Sequence, residues 1–498
     1  VTRSGRLYGA RAFAAALGLA GTAALGLACA AAPAAEGPVG STPCRLPGVE
    51  NGALCGVLRR PLDPAAPQGR SIEVHFAVLP ALSRNKKADP VFFFAGGPGQ
   101  SALALAGPVS QLMGRLQNRR DIVLIDQRGT GRSAPLQCAD AAPTRPLAEQ
   151  FNPQRQIDEV SACLRTLQAL PHGDLRFYTT TLAMQDAEAV RQRLGAQRIN
   201  LVGASYGTRA ALEYTRQFPQ AVRRIVLDGV APPDMALPMA AAVDGQAAFD
   251  ALLAACDAEA ACQARHPALR QQWQRLLAGL PAEATVAHPV TGREERVAVG
   301  ADMVQALVRQ ALYSPVLASA LPVAIGDAAA GRFGPLVGLA SALGGGRRSA
   351  ALAQGMHLSV VCAEDLPRMD GAAVPPSGVG AELSTLYRRI CADWPRGEVP
   401  AGFYELPPAP GAVLVLSGGI DPVTPPRHGE RVAKALGPLA RHVVVPNAGH
   451  GVLALPCQRD VLFRFIDAAS DGLALIVDAD CAAAIPRPPA FVPVAAAP

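Results

Sequence analysis

Apolar residues come in short, nearly unbroken runs along the first half of the chain, each ended by glycine, proline or a charge. Residues 90–94, 121–126, 199–202 and 224–228 read as strands buried on both faces, because a run without polar alternation has no side to show to water. Between them, residues 182–194 and 208–218 repeat apolar positions at helical spacing, and Pro219 stops the second helix. Strands alternating with helices predict an α/β fold with a mostly parallel central sheet covered on both faces. Upstream, 53–58 and 71–78 are joined by a Pro- and Gly-rich turn and predict an antiparallel entry hairpin.

From Pro232 to about Pro410 this rhythm stops. The stretch is rich in Ala and Leu at helical spacing, as in 245–256 and 271–280, and is broken by Pro and Gly loops. It reads as a helical insertion, a cap over the sheet. Strand-like runs resume at 412–416 and 441–445. The expected organisation is a core over 35–231 and 411–485, a cap over 232–410, and a Pro- and Ala-rich tail, 486–498, expected to be poorly ordered.

The N-terminus changes the picture of where the chain works. Arg3, Arg6 and Arg11 precede an uncharged apolar run, 12–28, and Ala32-Pro33-Ala34 fits a small-x-small cleavage site. Residues 1–34 therefore read as a secretory signal, with a membrane anchor as the alternative. Lipid attachment at Cys29 is a second alternative, although Gly26 stands where such signals usually carry Leu. No other apolar run looks long and uninterrupted enough to span a bilayer. Beyond Cys29 there are ten cysteines, Cys44, Cys55, Cys138, Cys163, Cys256, Cys262, Cys362, Cys391, Cys457 and Cys481. An even number in an exported chain predicts disulfides and a periplasmic or secreted protein. Pairing neighbours in sequence closes five modest loops, but other connectivities stay open. There is no C-x-x-C and no His pair at ligand spacing, so no metal or other cofactor is expected. Half of the net charge of +6 sits on the three arginines of the signal, and no stretch interleaves Lys and Arg with aromatics. Nucleic acid is not an expected partner.

Candidate chemistry centres on Gly203-Ala204-Ser205-Tyr206-Gly207, a G-x-S-x-G turn between a predicted strand and a predicted helix. Such a turn strains the serine backbone, exposes its hydroxyl and sets it at a helix N-terminus. A serine hydroxyl needs a base, and the base needs an acid to orient it. His450, in Asn447-Ala448-Gly449-His450-Gly451, follows the strand at 441–445 and is the candidate base; His428 and His442 are its nearest competitors. Asp421, in Gly419-Ile420-Asp421-Pro422, follows the strand at 412–416 and is the candidate acid, with Asp228 as the alternative. Both sit past strand ends, where parallel sheets place their ligands. Gly97, in the glycine-rich loop after 90–94, and Tyr206 are the candidate oxyanion donors through their backbone N–H groups. The order Ser, Asp, His is that of the α/β-hydrolase fold.

Taken together, these segments resemble the α/β-hydrolase peptidases related to proline iminopeptidase and the secreted tripeptidyl aminopeptidases of actinomycetes. The residues that carry the resemblance are Gly96-Gly97-Pro98-Gly99-Gln100-Ser101, Asp126-Gln127-Arg128-Gly129-Thr130-Gly131-Arg132-Ser133, Gly203 to Thr208, Gly419 to Pro425, and Gly449-His450-Gly451. The resemblance implies that the 126–133 loop supports the site without performing chemistry. One departure is Ala95, where the iminopeptidases usually carry His; it favours the tripeptidyl branch.

The resulting expectation is an exported serine hydrolase acting on peptides with a free N-terminus. An esterase for small acyl esters and a catalytically silent binding protein are the alternatives. An exopeptidase must also recognise the substrate ammonium, which in a desolvated site calls for a carboxylate. Glu364 and Asp365 are the candidates, in a Cys-x-x-Asp segment that resembles one near the cleft of the tripeptidyl aminopeptidases. A Cys362–Cys391 bridge would stiffen that turn. The alternative is that both acids cap a helix or face solvent.

Overall fold

Side chains of the central strands divide strictly between two hydrophobic layers. Phe92, Phe94, Val123, Ile125, Leu201, Ile225, Leu227, Val413 and Val415 pack on one face of the sheet. Val91, Phe93, Ile122, Leu124, Val202, Val226, Leu414 and Leu416 pack on the other. This is the period-two alternation of a strand with apolar cover on both sides. The computed structural model describes residues 40–139, 142–345, 352–369 and 377–492. The expected signal (1–34), the candidate lipid site Cys29 and the last six residues of the chain lie outside the described residues.

Eleven strands are described: β1 (Ser41–Cys44), β2 (Ala53–Pro61), β3 (Ser71–Leu79), β4 (Val91–Phe94), β5 (Ile122–Ile125), β6 (Ile199–Ala204), β7 (Val222–Asp228), β8 (Ala282–Ala287), β9 (Glu294–Val299), β10 (Val413–Gly418) and β11 (Ala440–Val445). Nine form one sheet in the order β1-β2-β3-β5-β4-β6-β7-β10-β11. The entry strands β1, β2 and β3 are antiparallel to their neighbours, and β5, β4, β6, β7, β10 and β11 run parallel. Register aligns the C-terminal ends that matter: Ala204 pairs with Asp228, which pairs with Leu416. The residues just beyond β6, β10 and β11 therefore emerge along one edge.

The insertion departs from expectation in three ways. It contains an antiparallel hairpin, β8 with β9, in a stretch expected to be helical throughout. Its own core gathers Phe249, Leu252, Trp273, Val286, Val299, Leu307 and Ile325, and also recruits Leu147 from the β5–β6 connection. Its last part does not belong to that core. Met356, Val360, Cys362, Leu366 and Trp394 pack into the same layer as Phe92 and Leu201 of the sheet, so the cap as an independent layer ends well before 410. The helix Leu237–Ala258 is long and apolar enough to cross a bilayer, contrary to expectation. Its buried Asp244 receives Arg427 Nε at 2.6 Å and lies 2.9 Å from His428 Nε2, which ties the helix to the following core element. The tail is also more anchored than its composition implies. The N–H of Phe491 donates to Ser319 O at 2.9 Å, fixing the described part of 486–492 to the insertion.

Disulfides join Cys44–Cys55, Cys138–Cys163, Cys256–Cys262, Cys362–Cys391 and Cys457–Cys481, so each cysteine pairs with its neighbour in sequence. Five bridges are the mark of an extracellular or periplasmic protein.

Candidate active site

β6 runs directly into Ser205, and a helix, Tyr206–Gln217, starts at the next residue. Ser205 has φ 56° and ψ −123°, a conformation that costs a non-glycine residue about 1–3 kcal/mol. The surroundings hold it there. Its N–H donates to Asp228 O at 2.8 Å, and its own carbonyl accepts the N–H and hydroxyl of Thr208 at 2.9 and 2.6 Å. The flanking glycines are steric necessities. A Cβ on Gly207 would lie 2.0 Å from Phe94 O, and one on Gly203 would lie 2.3 Å from Gly207 O.

His450 reaches Ser205 from the loop after β11. Its Nε2 is 3.0 Å from Ser205 Oγ, and its Nδ1 is 2.9 Å from Asp421 Oδ2. A carboxylate only accepts, so Nδ1 carries the hydrogen and Nε2 is left free to take a proton from the serine. Asp421 is 1% exposed and saturated with donors. Its Oδ1 accepts the N–H of Val423 and Thr424 at 2.8 and 3.0 Å, and Thr424 Oγ1 donates to Oδ2 at 2.7 Å. Burial alone would raise the Asp421 pKa, but the imidazole and these hydrogen bonds outweigh it and hold it below the ordinary carboxylate range. His450 shows the reciprocal balance. Burial lowers its pKa, the charge and hydrogen bond of Asp421 raise it, and the net shift is upward.

Asp228 has another task. Its carboxylate accepts the N–H of Val452 and Leu453 at 2.9 and 3.0 Å, just beyond His450, while its carbonyl holds Ser205. The competing histidines have their own partners: His428 faces Asp244, and His442 Nε2 lies 3.0 Å from Ser417 Oγ. From the insertion, Tyr313 packs nearly perpendicular to the His450 ring, with centroids 5.6 Å apart.

The glycine-rich loop after β4 lies against the serine; a Cβ on Gly96 would be 3.1 Å from Ser205 Cβ. Gly97 is exposed and has φ +110°, a region that strongly favours glycine. Tyr206 N–H is the first of its helix and has no acceptor within it. Tyr206 directly follows Ser205 and the Gly97 loop lies beside it, so these two backbone N–H groups are the candidate oxyanion donors. Asp126 braces this loop: it accepts Ser101 Oγ at 2.7 Å and the N–H of Leu103 and Arg132 at 3.1 Å each. Arg128 forms a two-pronged buried pair with Asp186, at 2.7 and 2.9 Å.

Glu364 and Asp365, the acids expected to bind a substrate amine, do not line an open cleft. Both are 0% exposed, on a π-helical turn, Val361–Asp365. Arg209, from the Ser205 helix and equally buried, donates to Asp365 Oδ1 at 2.6 Å and lies 3.5 Å from Glu364 Oε2. Glu364 also accepts the N–H and hydroxyl of Thr180 at 2.7 and 2.9 Å, and Thr180 Oγ1 is 2.7 Å from Tyr206 Oη. The cation these acids meet is the protein's own.

Thr424 and the loop-holding function of Asp228 escaped the sequence reading. The only local signal for Thr424 is a hydroxyl three residues after Asp421, the spacing of a side chain that folds back on a turn.

Residues 89–282 match the family described as alpha/beta hydrolase fold, and residues 377–470 match the family described as TAP-like protein. The serine protease Hip1 of Mycobacterium tuberculosis is 29% identical over 438 residues, which covers 80% of this chain and 83% of that one. A tripeptidyl aminopeptidase of Streptomyces lividans is 30% identical over 195 residues, 36% of this chain and 35% of its own. A proline iminopeptidase of Aeromonas sobria is 27% identical over 144 residues, 29% of this chain and 28% of its own. The chain is a hydrolase of the α/β-hydrolase fold, similar over most of its length to a serine protease.

Proposed function

We propose that this chain is an exported serine peptidase that releases residues or short peptides from the N-terminus of peptide substrates. Ser205 Oγ attacks the scissile carbonyl as His450 Nε2 takes its proton. Asp421 holds the imidazolium, and the N–H groups of Gly97 and Tyr206 receive the oxyanion. His450 then returns the proton to the leaving amine, and water releases the acyl group by the same route. The observation that carries this reading is the pair of contacts on one imidazole: 3.0 Å to Ser205 Oγ and 2.9 Å to Asp421 Oδ2.

The N-terminal specificity draws on the names of the partial relatives, a tripeptidyl aminopeptidase and a proline iminopeptidase. Export draws on the five disulfides together with residues 1–34; a lipid anchor on Cys29 is the variant of that reading. An esterase reading is favoured by one observation: Arg209 already occupies the two acids expected to bind a substrate amine.

A fluorophosphonate probe tests the chemistry. The wild type should label covalently and Ser205→Ala should not; undiminished labelling of Ser205→Ala would remove Ser205 from the mechanism. Free-amine and N-acetylated peptides then test specificity, and equal cleavage of both would transfer the argument to the esterase.

A further inference from the structure

Between the oxyanion loop and the returning part of the insertion stands an imidazole that the chemistry above does not use. His357 lies on the helix Gln354–Val360, with Nδ1 3.1 Å from Pro98 O and Nε2 2.6 Å from Tyr387 Oη. The carbonyl can only accept, so Nδ1 carries the hydrogen; Nε2 is then the acceptor and the tyrosine hydroxyl donates. The tautomer is fixed by geometry from both sides. Burial drives the His357 pKa down to about 4, so the ring is neutral throughout the range where a serine hydrolase works.

The carbonyl it holds is in a sensitive place. Pro98 follows Gly97, the exposed candidate donor, and glycine is the residue least able to hold its own dihedrals. Gly96 is pinned on one side by Gln100 Oε1, which accepts its N–H at 3.1 Å. On the other side the proline ring fixes φ of Pro98, so gripping the Pro98 carbonyl restrains the peptide planes around Gly97. The same helix start holds the next peptide: Ala353 N–H donates to Gly99 O at 3.0 Å. Tyr387 belongs to the helix Glu382–Ile390, whose end at Cys391 is bridged to Cys362, about a turn beyond His357. Together His357 and Tyr387 form part of the wall of a cavity of about 630 Å³, with Leu352, Leu358, Leu386 and Ile390.

We propose that His357, oriented by Tyr387, is a positioning residue for the oxyanion loop: it grips the Pro98 carbonyl so that the Gly97 N–H points to the oxyanion above Ser205. The role rests on the acyl-transfer reading given above. It acts on the transition state and leaves substrate affinity largely alone, because the donor matters most once charge has developed on the carbonyl oxygen.

The test compares His357→Leu, His357→Asn and Tyr387→Phe with the wild type on a chromogenic acyl substrate, alongside fluorophosphonate labelling and thermal melts. His357→Leu removes the grip and should lower kcat about 10- to 100-fold, with KM within about threefold. Asn presents an amide N–H near the position of Nδ1 and should recover most of that loss; a general packing defect would not be rescued this way. Tyr387→Phe keeps the ring but frees it and should fall between wild type and His357→Leu. Should His357→Leu not fold, the Asn and Phe variants decide alone. Near-wild-type kcat in both, or equal losses in both together with a lowered melting point, overturns the role. A folded His357→Leu with kcat within threefold of wild type overturns it too, as does a loss confined to KM. A wild type that does not label overturns the acyl-transfer reading itself, which is a different result from a labelled wild type whose turnover ignores His357.

Discussion

The Asp228 carboxylate accepts the backbone N–H of Val452 at 2.9 Å, two residues beyond His450, and so holds the histidine loop without touching the imidazole. Asp421 touches the imidazole directly. The two aspartates, each at or just past the end of a parallel strand, are thus distinguished by their donors. Asp421→Asn should lower kcat by about four orders of magnitude, because the amide reverses the imidazole tautomer. Asp228→Asn loses one of the two oxygens that accept the Val452 and Leu453 N–H groups and should cost about 1–3 kcal/mol of stability, with a kcat loss no greater than about tenfold. Steady-state kinetics and melts of both variants check the ranking; the reverse ranking would make Asp228 the orienting acid.

The pH dependence follows from the same contact. Burial pushes the His450 pKa down, Asp421 pushes it up, and the balance lies above the ordinary 6.5. Imidazolium cannot take the serine proton, so kcat/KM should fall as pH drops through that raised value. Asp421 is the larger cause of that rise and the Asp228 charge the smaller, so removing the Asp421 charge should move the acid limb of the residual activity in Asp421→Asn to lower pH. A limb that stays in place would assign it to a group other than His450.

Much of this was legible in the chain because its signals are local. Strands β4 to β7, β10 and β11 are short apolar runs with turn chemistry at their ends, and Ser205, Asp421 and His450 each sit just past one of them. β1 was missed, being four residues at the sheet edge of which only Ser41 is buried. The β8–β9 hairpin was missed because its outward positions, such as Glu283 and Glu294, make alanine- and valine-rich strands look like helix. The remaining omissions are contacts between distant residues. Pro98 meets a histidine 259 positions away, and Asp365 meets an arginine 156 positions away; no spacing rule reports either.

Reducible cross-links should respond to the length of chain they close. In unreduced protein, alkylation should find essentially no free thiol among the ten cysteines after Cys29. On the chain-entropy account, removing Cys256–Cys262, separated by six residues, should cost roughly 2 kcal/mol, and removing Cys362–Cys391, separated by 29, roughly 3.5 kcal/mol. Paired Cys→Ala variants in denaturant titrations measure the difference. A larger cost for the short loop would mean that native packing, not loop closure, sets the effect.

The buried acids make the sharpest test of burial against function. Glu364 and Asp365 share one guanidinium, so burial leaves a surplus negative charge to be relieved by a proton. It raises the pKa of both acids, that of Glu364 to about 7, against an ordinary 4.5. A carboxyl whose pKa is raised on folding contributes stability that is fully present below its unfolded value and lost as pH rises through the folded one. The melting temperature should therefore decline between about pH 5 and 7.5, and Glu364→Gln, which cannot ionise, should flatten that part of the decline. Asp365→Asn withdraws the nearer partner of a fully buried arginine and should destabilise by about 3–5 kcal/mol. Because both acids are sealed from solvent, neither variant should change the ratio of free-amine to N-acetylated substrate turnover in protein that remains folded. A selective loss on the free-amine substrate, with the pH dependence of melting unaltered, would instead open the cluster to the cleft and restore the acids to substrate recognition.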